Sequence, residues 1–300
     1  MPQNFPEIWL KRVIDRLSQE DKANFLEGIG ELPYDVVSIN PGTKTEKNKI
    51  YVPLDNFDVD VLLNNDSYPL PVQEFTDGTA EITLDKYQTK VTSLPDDIVL
   101  GASYDKIDAA TKKHIKAITK FKHRRAIWML APASNTQDTP VLEATGDTLP
   151  DGRKRLTYND LVALKEKLDK LDWPLEGRRI VLSPEHWNDL LTDRERFADL
   201  LNDFKKGVQT QFLGFEFKQY TVMPLYDSNK NKKPFGAIAG TGDKVASVVF
   251  HMENVAKKTG FTRQYFTPST LNPRGQSNEL SYRHYFIVQP FRNKYLAAIV

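Results

Sequence analysis

The side chains best suited to chemistry in this sequence are five histidines, one pair of adjacent carboxylates and one glycine-rich run. His114, His123, His186, His251 and His284 show no metal-ligand spacing of the His-Glu-x-x-His kind, which would set two imidazoles on one helical face. His114 falls on the edge of an apolar helical stripe and reads as a packed histidine. Gly236-Ala237-Ile238-Ala239-Gly240-Thr241-Gly242-Asp243-Lys244 resembles a phosphate-cradling loop only loosely. Five residues separate Gly236 from Gly242, and Asp243, which would repel phosphate, stands where lysine should follow. Asp96 and Asp97 follow Pro95 just before a helix and read as turn and capping residues. No Gly-x-Ser-x-Gly nucleophile elbow occurs, and the absence of cysteine excludes disulfides, thiolate metal sites and thiol nucleophiles. The expectation is a chain that is not an enzyme, with no catalytic residue, metal or cofactor.

What remains is charge, and it is divided. Lysine plus arginine (41) nearly balances aspartate plus glutamate (40), so net charge gives no reason to expect nucleic-acid or membrane binding. Yet residues 55–85 hold Asp55, Asp58, Asp60, Asp66, Glu74, Asp77, Glu81 and Asp85 with no lysine or arginine, a net charge of −8. Residues 103–125 hold Lys106, Lys112, Lys113, Lys116, Lys120, Lys122, Arg124 and Arg125 against Asp105 and Asp108, a net charge of +6. Taken singly, each is a solvated face, since an isolated surface ion pair contributes only about 0–1 kcal/mol.

The elements that carry these charges follow from periodicity. With 40% hydrophobic and 27% charged residues, the 300-residue chain has material for one large core or two modest ones. Met1–Leu10 lacks the pattern of a signal peptide, and no window approaches the roughly 18 apolar residues of a membrane span. Residues 7–26 predict a short amphipathic helix with Leu10, Val13, Ile14 and Leu17 on one face, ended by Gly28, Gly30 and Pro33; Asn40–Asn48 reads as an extended arm. Strands are expected at Ile50–Leu54, Pro71–Phe75 and Thr79–Thr92, with Thr76-Asp77-Gly78 as the turn of a long hairpin. The alternation of Ile82 and Leu84 changes phase before Tyr87, Thr89 and Val91, so a bulge or a change of buried face is expected there.

Ser103 predicts the N-cap of a helix running to about Arg125, on the order of 33 Å long. Its acidic residues near the start and basic residues near the end suit the helix dipole. After a loop over 131–152, Thr157 caps a helix bearing Leu161, Leu164, Leu168 and Leu171, which Trp173-Pro174 stops. Arg179–Leu182 reads as a short buried strand, Ser183-Pro184-Glu185 opens a helix, and Thr192–Glu195 opens another that carries Phe197, Leu200, Leu201 and Phe204. Segments 211–226, 235–250 and 281–299 read as strands. The class is α+β.

That order of elements resembles the tailed-bacteriophage major capsid fold of the Hong Kong 97 type. Three stretches carry the likeness. Pro71–Gly78 through Thr83–Thr89 resembles the family's protruding loop. Leu156–Asp169 followed by Trp173–Pro184 is similar to its axial-domain helix and strand, and Tyr282–Pro290 resembles its late peripheral strands. The resemblance implies an N-terminal arm (1–49), an extended β-hairpin loop (50–96), the spine helix of a peripheral domain (97–130), an axial domain (131–259) and returning peripheral strands (260–300).

It further implies a subunit that assembles with itself into hexamers, pentamers and an icosahedral head enclosing double-stranded DNA. Such a subunit works with a scaffolding protein and a portal, touches DNA without sequence preference, contacts no membrane, and resides in the virion after assembly in the host cytoplasm. The alternatives are an encapsulin-type nanocompartment and, from a different class, an α/β enzyme with an unrecognised site. Two departures stand out. No N-terminal scaffolding region is evident, which calls for a separate scaffolding protein. Nor is there a matched lysine–asparagine cross-linking pair, although Lys86 and Lys90 lie near the loop. A self-assembling subunit gives the charge division a use, since an acidic loop over a neighbour's basic helix sets register and encounter rate. Asp77, Glu81 and Asp85 are expected to face Lys112, Lys113 and Lys116, or Lys257 and Lys258, of another copy.

Overall fold

The structure, a computed structural model, describes residues 13–14, 17, 23–55, 64–66, 68–70, 72–73, 77–95, 106–150, 152–192 and 211–300. Val13 and Leu17 are helical and buried, as the apolar stripe requires, whereas Ile14 is helical and exposed; Leu10 lies outside the described residues. Strands β1 (Val37–Ile39), β2 (Lys47–Asp55) and β3 (Asp77–Thr83) form an antiparallel sheet. The hairpin is therefore β2–β3, and the turn expected at 76–78 is corrected: Asp77 and Gly78 are strand residues opposite Asp55 and Leu54. Of the strand expected at 71–75, Val72 and Gln73 lie in no strand, and Pro71, Glu74 and Phe75 lie outside the described residues. Pro71 has no N–H to give to a ladder, whereas β3 aligns Ile82 with Ile50 and Ala80 with Val52 on a buried face.

At Leu84 the chain changes sheets, which accounts for the shift in alternation. Strands β4 (Asp85–Gln88) and β5 (Thr92–Pro95) pair with a strand from the far end of the chain. Helix α1 follows at Lys106–Leu130, 25 residues or about 37 Å. Its expected cap, Ser103, lies outside the described residues. The helix also runs past Arg125, because Lys232 donates to the carbonyls of Trp128 (3.0 Å) and Ala131 (2.5 Å) and caps its C-terminal end from about a hundred residues away.

The central block comprises β6 (Val141–Leu142), α2 (Tyr158–Asp169), β7 (Arg178–Leu182), α3 (Pro184–Thr192), β8 (Gln211–Phe212) and β9 (Phe215–Gln219). Thr157 forms the expected capping box with Asp160, and Ser183 Oγ accepts from His186 N, the cap expected for α3. The helix expected from Thr192 lies outside the described residues. The hairpin β10 (Leu225–Tyr226) and β11 (Lys244–Val245) precedes β12 (Ser247–His251), and residues 235–243 are turns rather than the strand expected there. The chain ends with β13 (Val255–Thr267), β14 (Ser277–Pro290) and β15 (Leu296–Ile299). β13 was not expected at full length, for Lys257-Lys258-Thr259-Gly260 breaks its alternation at a bulge between Thr259 and Thr262.

The six-stranded sheet, in the order β6-β15-β12-β7-β9-β8, is covered on both faces. Val181, Val248, Phe250, Leu296 and Ala298 point into a core shared with Ile115, Ile118 and Ile127 of α1. Ile180, Leu182, Val249, Ala297 and Ile299 point the other way, onto Leu161, Leu164 and Leu168 of α2. A second sheet, β13-β14-β4 with β5 also on β14, lies along α1. Leu280, Tyr282, Phe286 and Val288 of β14 face the core shared with that helix, and Tyr285 and Ile287 face Ile50, Val52, Ile82 and Leu84 at the hairpin root.

Residues 23–49 are bound in rather than extended as an arm. Phe25 and Leu26 enter the core, and the buried Arg179 guanidinium donates to the carbonyls of Phe25 (2.9 Å) and Glu27 (2.7 Å) while pairing with Glu216 (2.5 Å). Glu46, buried at the hairpin root, accepts from Gly42 N (3.0 Å), Ser38 Oγ (3.2 Å) and Arg283 (2.9 Å). Burial pushes its carboxyl up, but the Gly42 N–H, the Arg263 charge and the Ser38 and Arg283 hydrogen bonds leave it below the ordinary value.

Candidate interaction surface

Among the described residues, His114, His186 and Asp243 are enclosed or engaged by the fold, whereas Asp96 and Asp97 lie outside the described residues. His186 Nδ1 lies 2.7 Å from Ser247 Oγ, the geometry of a nucleophile and its base, but both side chains are buried between α3 and β12 with no opening to either. Burial lowers the His186 pKa to about 4 and Asp189 opposes the shift, so the imidazole is neutral and the pair is a core hydrogen bond. Asp189 meanwhile binds Arg153 through both its oxygens (2.5 and 3.1 Å) and accepts from Leu156 N (2.9 Å). In the glycine-rich run, Asp243 accepts from Gly240 N (2.6 Å) and pairs with Lys233, so its own carboxylate takes the N–H that a phosphate would need. Among the described residues, no three histidine, aspartate or glutamate side chains come together to hold a metal, and no helix is long and apolar enough to cross a membrane. His114 is buried and bonded to Thr92 Oγ1 (2.9 Å), with its pKa lowered by burial.

Five of the eight residues expected between copies have partners in their own chain. Glu81 pairs with Lys49 across the hairpin, and Asp85 meets Arg125 of α1 at 3.1 Å. Lys112 pairs with Asp108 one turn back at 3.0 Å. Lys257 and Lys258 donate to the carbonyls of Ile29 (3.2 Å) and Leu32 (2.7 Å) and hold the N-terminal segment against β13. The side chain of Asp77 lies outside the described residues. Lys113 and Lys116 lie on an exposed face of α1 and make no ion pair among the described residues.

Sequence reasoning missed a groove beside them. Residues 106, 109, 110, 113, 114, 117, 118 and 121 form one face of α1, and with β4 and β5 they enclose a channel of about 770 Å³. Tyr87, Leu94 and Ile118 supply its apolar floor, while Lys86, Lys90, Lys106 and Lys113 bring four ammonium groups to its walls. Phe121 in the lining and Val91 beside it remain 51% and 62% exposed. The signal was present in the 3–4-residue spacing of small and basic residues on α1, but its opposite wall lies across residues 96–105.

No family model matches the chain, and no curated protein matches it by sequence. Solved structures do. The capsid of Ralstonia phage GP4 aligns over 91% of this chain and 84% of that one, at 8% identity and a TM-score of 0.58. The capsid of cyanophage P-SCSP1u aligns over 91% and 90%, at 13% identity and a TM-score of 0.56. The fold is the tailed-phage capsid fold. A virus-like particle from Pyrococcus furiosus aligns over 97% of this chain and 99% of that one, at 11% identity and a TM-score of 0.55. With so little identity, what the chain shares with these structures is the backbone fold. The lysine groove rests on this chain's own side chains.

Proposed function

We propose that this chain is a major capsid protein, a subunit that assembles with copies of itself into the icosahedral head of a tailed phage. The observation that carries the proposal is the extent of the match: about nine-tenths of the chain superimposes on capsid chains of similar length. In this reading residues 131–259 form the axial domain, α1 with the returning strands forms the periphery, 50–96 reach toward neighbours, and 1–49 are the N-terminal arm, whose residues 23–49 brace the junction. Of the five lysines expected between copies, Lys113 and Lys116 remain for that contact. Where the basic helix faces the lumen, it neutralises packaged DNA without reading bases. A scaffolding protein and a portal complete assembly in the host cytoplasm, and the virion is the final location.

Expression with a scaffolding protein, followed by electron microscopy, is the test. Closed shells of uniform diameter are expected, and a stable monomer as the only species would reject the proposal. The second reading, a nanocompartment of the encapsulin type, rests on the nearly complete match to the Pyrococcus furiosus particle. Shells filled with a protein cargo and devoid of DNA in the native source would favour it.

A further inference from the structure

The groove beside α1 is bounded by the edge of a sheet. In the order β13-β14-β4, strand β4 stands last, and among the described residues no strand pairs with its far side. Thr89 N donates to Tyr282 O (3.0 Å), so this N–H points toward β14. Successive N–H groups along a strand point to opposite sides, which turns those of Lys86 and Gln88 away from β14 and toward the open edge. All five residues from Lys86 to Lys90 line the groove, the pattern of a strand met edge-on rather than on one face. Tyr87 is buried on the face toward α1, its ring 6.2 Å from that of Phe121, and Lys86 and Gln88 belong to the opposite face. The helix wall is small where it meets this edge, with Ala109, Ala110 and Ala117 in the lining. Four lysines stand around the groove, and its lining includes no aspartate or glutamate.

We infer that the groove is a docking site for an extended peptide of a second protein, a segment of alternating apolar and acidic residues that adds as a strand to the free edge of β4. The inference goes beyond shell formation, because one chain carries the whole site. Main-chain groups of the peptide bond to the outward N–H and carbonyl groups of Lys86 and Gln88, the source of affinity in any strand addition. Its apolar side chains lie on the face of Tyr87, beneath Ala117 and Ile118, where the alanines leave room. Its acidic side chains lie on the face of Lys86, opposite a cation, and reach Lys90 at the rim. A slip of one residue would set carboxylates against Tyr87 and Ile118, so charge and burial choose the same register. The lysines also speed the approach of an acidic segment and exclude a basic one. A helix laid in the groove would leave the edge N–H groups unmet, and the edge therefore selects a strand.

The probe is a fluorescein-labelled octapeptide of alternating valine and glutamate, titrated into the unassembled full-length chain at low salt. Saturable binding, read by anisotropy, is expected. Methylating alternate peptide nitrogens removes donors without changing the side chains and should weaken binding by about tenfold or more. A peptide with lysine in place of glutamate should not bind. Amide exchange locates the contact: the Gln88 N–H should slow on binding, while that of Thr89, already bonded to Tyr282, should not change. Ala117→Trp, at an exposed position in the helix wall, should block the groove. Lys90→Glu with Lys113→Glu should weaken binding about tenfold, with the deficit shrinking as salt rises. The methylated peptide needs no altered protein, so a variant that misfolds does not leave the question open. Absence of saturable binding, or equal binding of the methylated peptide, overturns the inference. So does protection of Gln88 that grows with chain concentration in the absence of peptide, which would give the groove to a second copy. Failure here leaves the shell reading standing, and a chain that forms no shells leaves the titration to be read by itself.

Discussion

The six-stranded sheet and the β2–β3 hairpin use the same alternation of apolar and polar side chains, yet the sheet is covered on both faces and the hairpin on only part of one. Along β12, Val248 and Phe250 face α1 while Val249 faces α2. Among the described residues of the hairpin, Ile50, Val52 and Ile82 at the root are covered by Tyr285 and Ile287, whereas Tyr68, Leu70 and Val72 are exposed. Charge follows the same division. The arginines of β7 are buried and fully engaged, whereas Lys90 and Lys113 beside the groove are exposed. A fold that stabilises itself in one region and leaves complementary surfaces unfilled in another is suited to assembly. The two regions should respond oppositely to substitution.

The largest effect is expected at Arg179. Arg179→Ala leaves the Glu216 carboxylate without its guanidinium partner and releases the carbonyls of Phe25 and Glu27, so the N-terminal segment loses its tie to the sheet. Removing one member of a buried pair costs about 3–5 kcal/mol, read as a shift in the denaturant midpoint of the isolated subunit. A loss below about 1 kcal/mol would mean that the central block is less dependent on its buried charges than its geometry indicates.

Acid should weaken the same block next. His186 is held neutral when folded, with its pKa lowered from 6.5 to about 4, and is free to take a proton when unfolded. Its contribution is complete above pH 6.5 and is lost as pH falls toward 4, because the unfolded state binds the extra proton; the total is about 3 kcal/mol. Unfolding measured across that window should show the slope in the unaltered chain and a flatter profile in His186→Gln.

Gly260, at the bulge of β13, packs against the hairpin root. A Cβ there would sit 2.8 Å from Leu84 Cδ2 and from Tyr285 Cβ, and 2.9 Å from Asn48 Nδ2. Gly260→Ala should therefore cost about 1–3 kcal/mol through overpacking at the hairpin root. Thermal unfolding of the variant measures this, and an unchanged midpoint would show that the root yields more readily than the central sheet.

Local signals were legible in the sequence and distant ones were not. The Thr157 capping box, the Ser183 cap and the span of β7 could be read because every residue involved lies within a few positions of the others. The end of α1 was misjudged by five residues because Lys232, which caps it, arrives from another part of the chain. The hairpin turn was misjudged because Thr76-Asp77-Gly78 has turn chemistry, while the register was decided by Ile50, Val52 and Ile82 packing on Tyr285 and Ile287. The charge division was visible as a count. Its pairing was not, for Asp85 with Arg125 and Lys258 with Leu32 depend on tertiary proximity.

The smallest effect on the isolated subunit is expected at the hairpin tip, where it sharpens the contrast most. Val72 is 91% exposed, so Val72→Ser removes apolar surface that is almost entirely uncovered. Stability should change by less than about 0.5 kcal/mol, as for other surface positions free of caps, cavities and strain. If copies meet through the tip, the same substitution should raise the subunit concentration needed for shell formation while leaving the denaturant midpoint of the monomer in place. A matching loss in both measurements would show that the tip supports the fold of its own chain and would remove the distinction between a covered sheet and an uncovered hairpin.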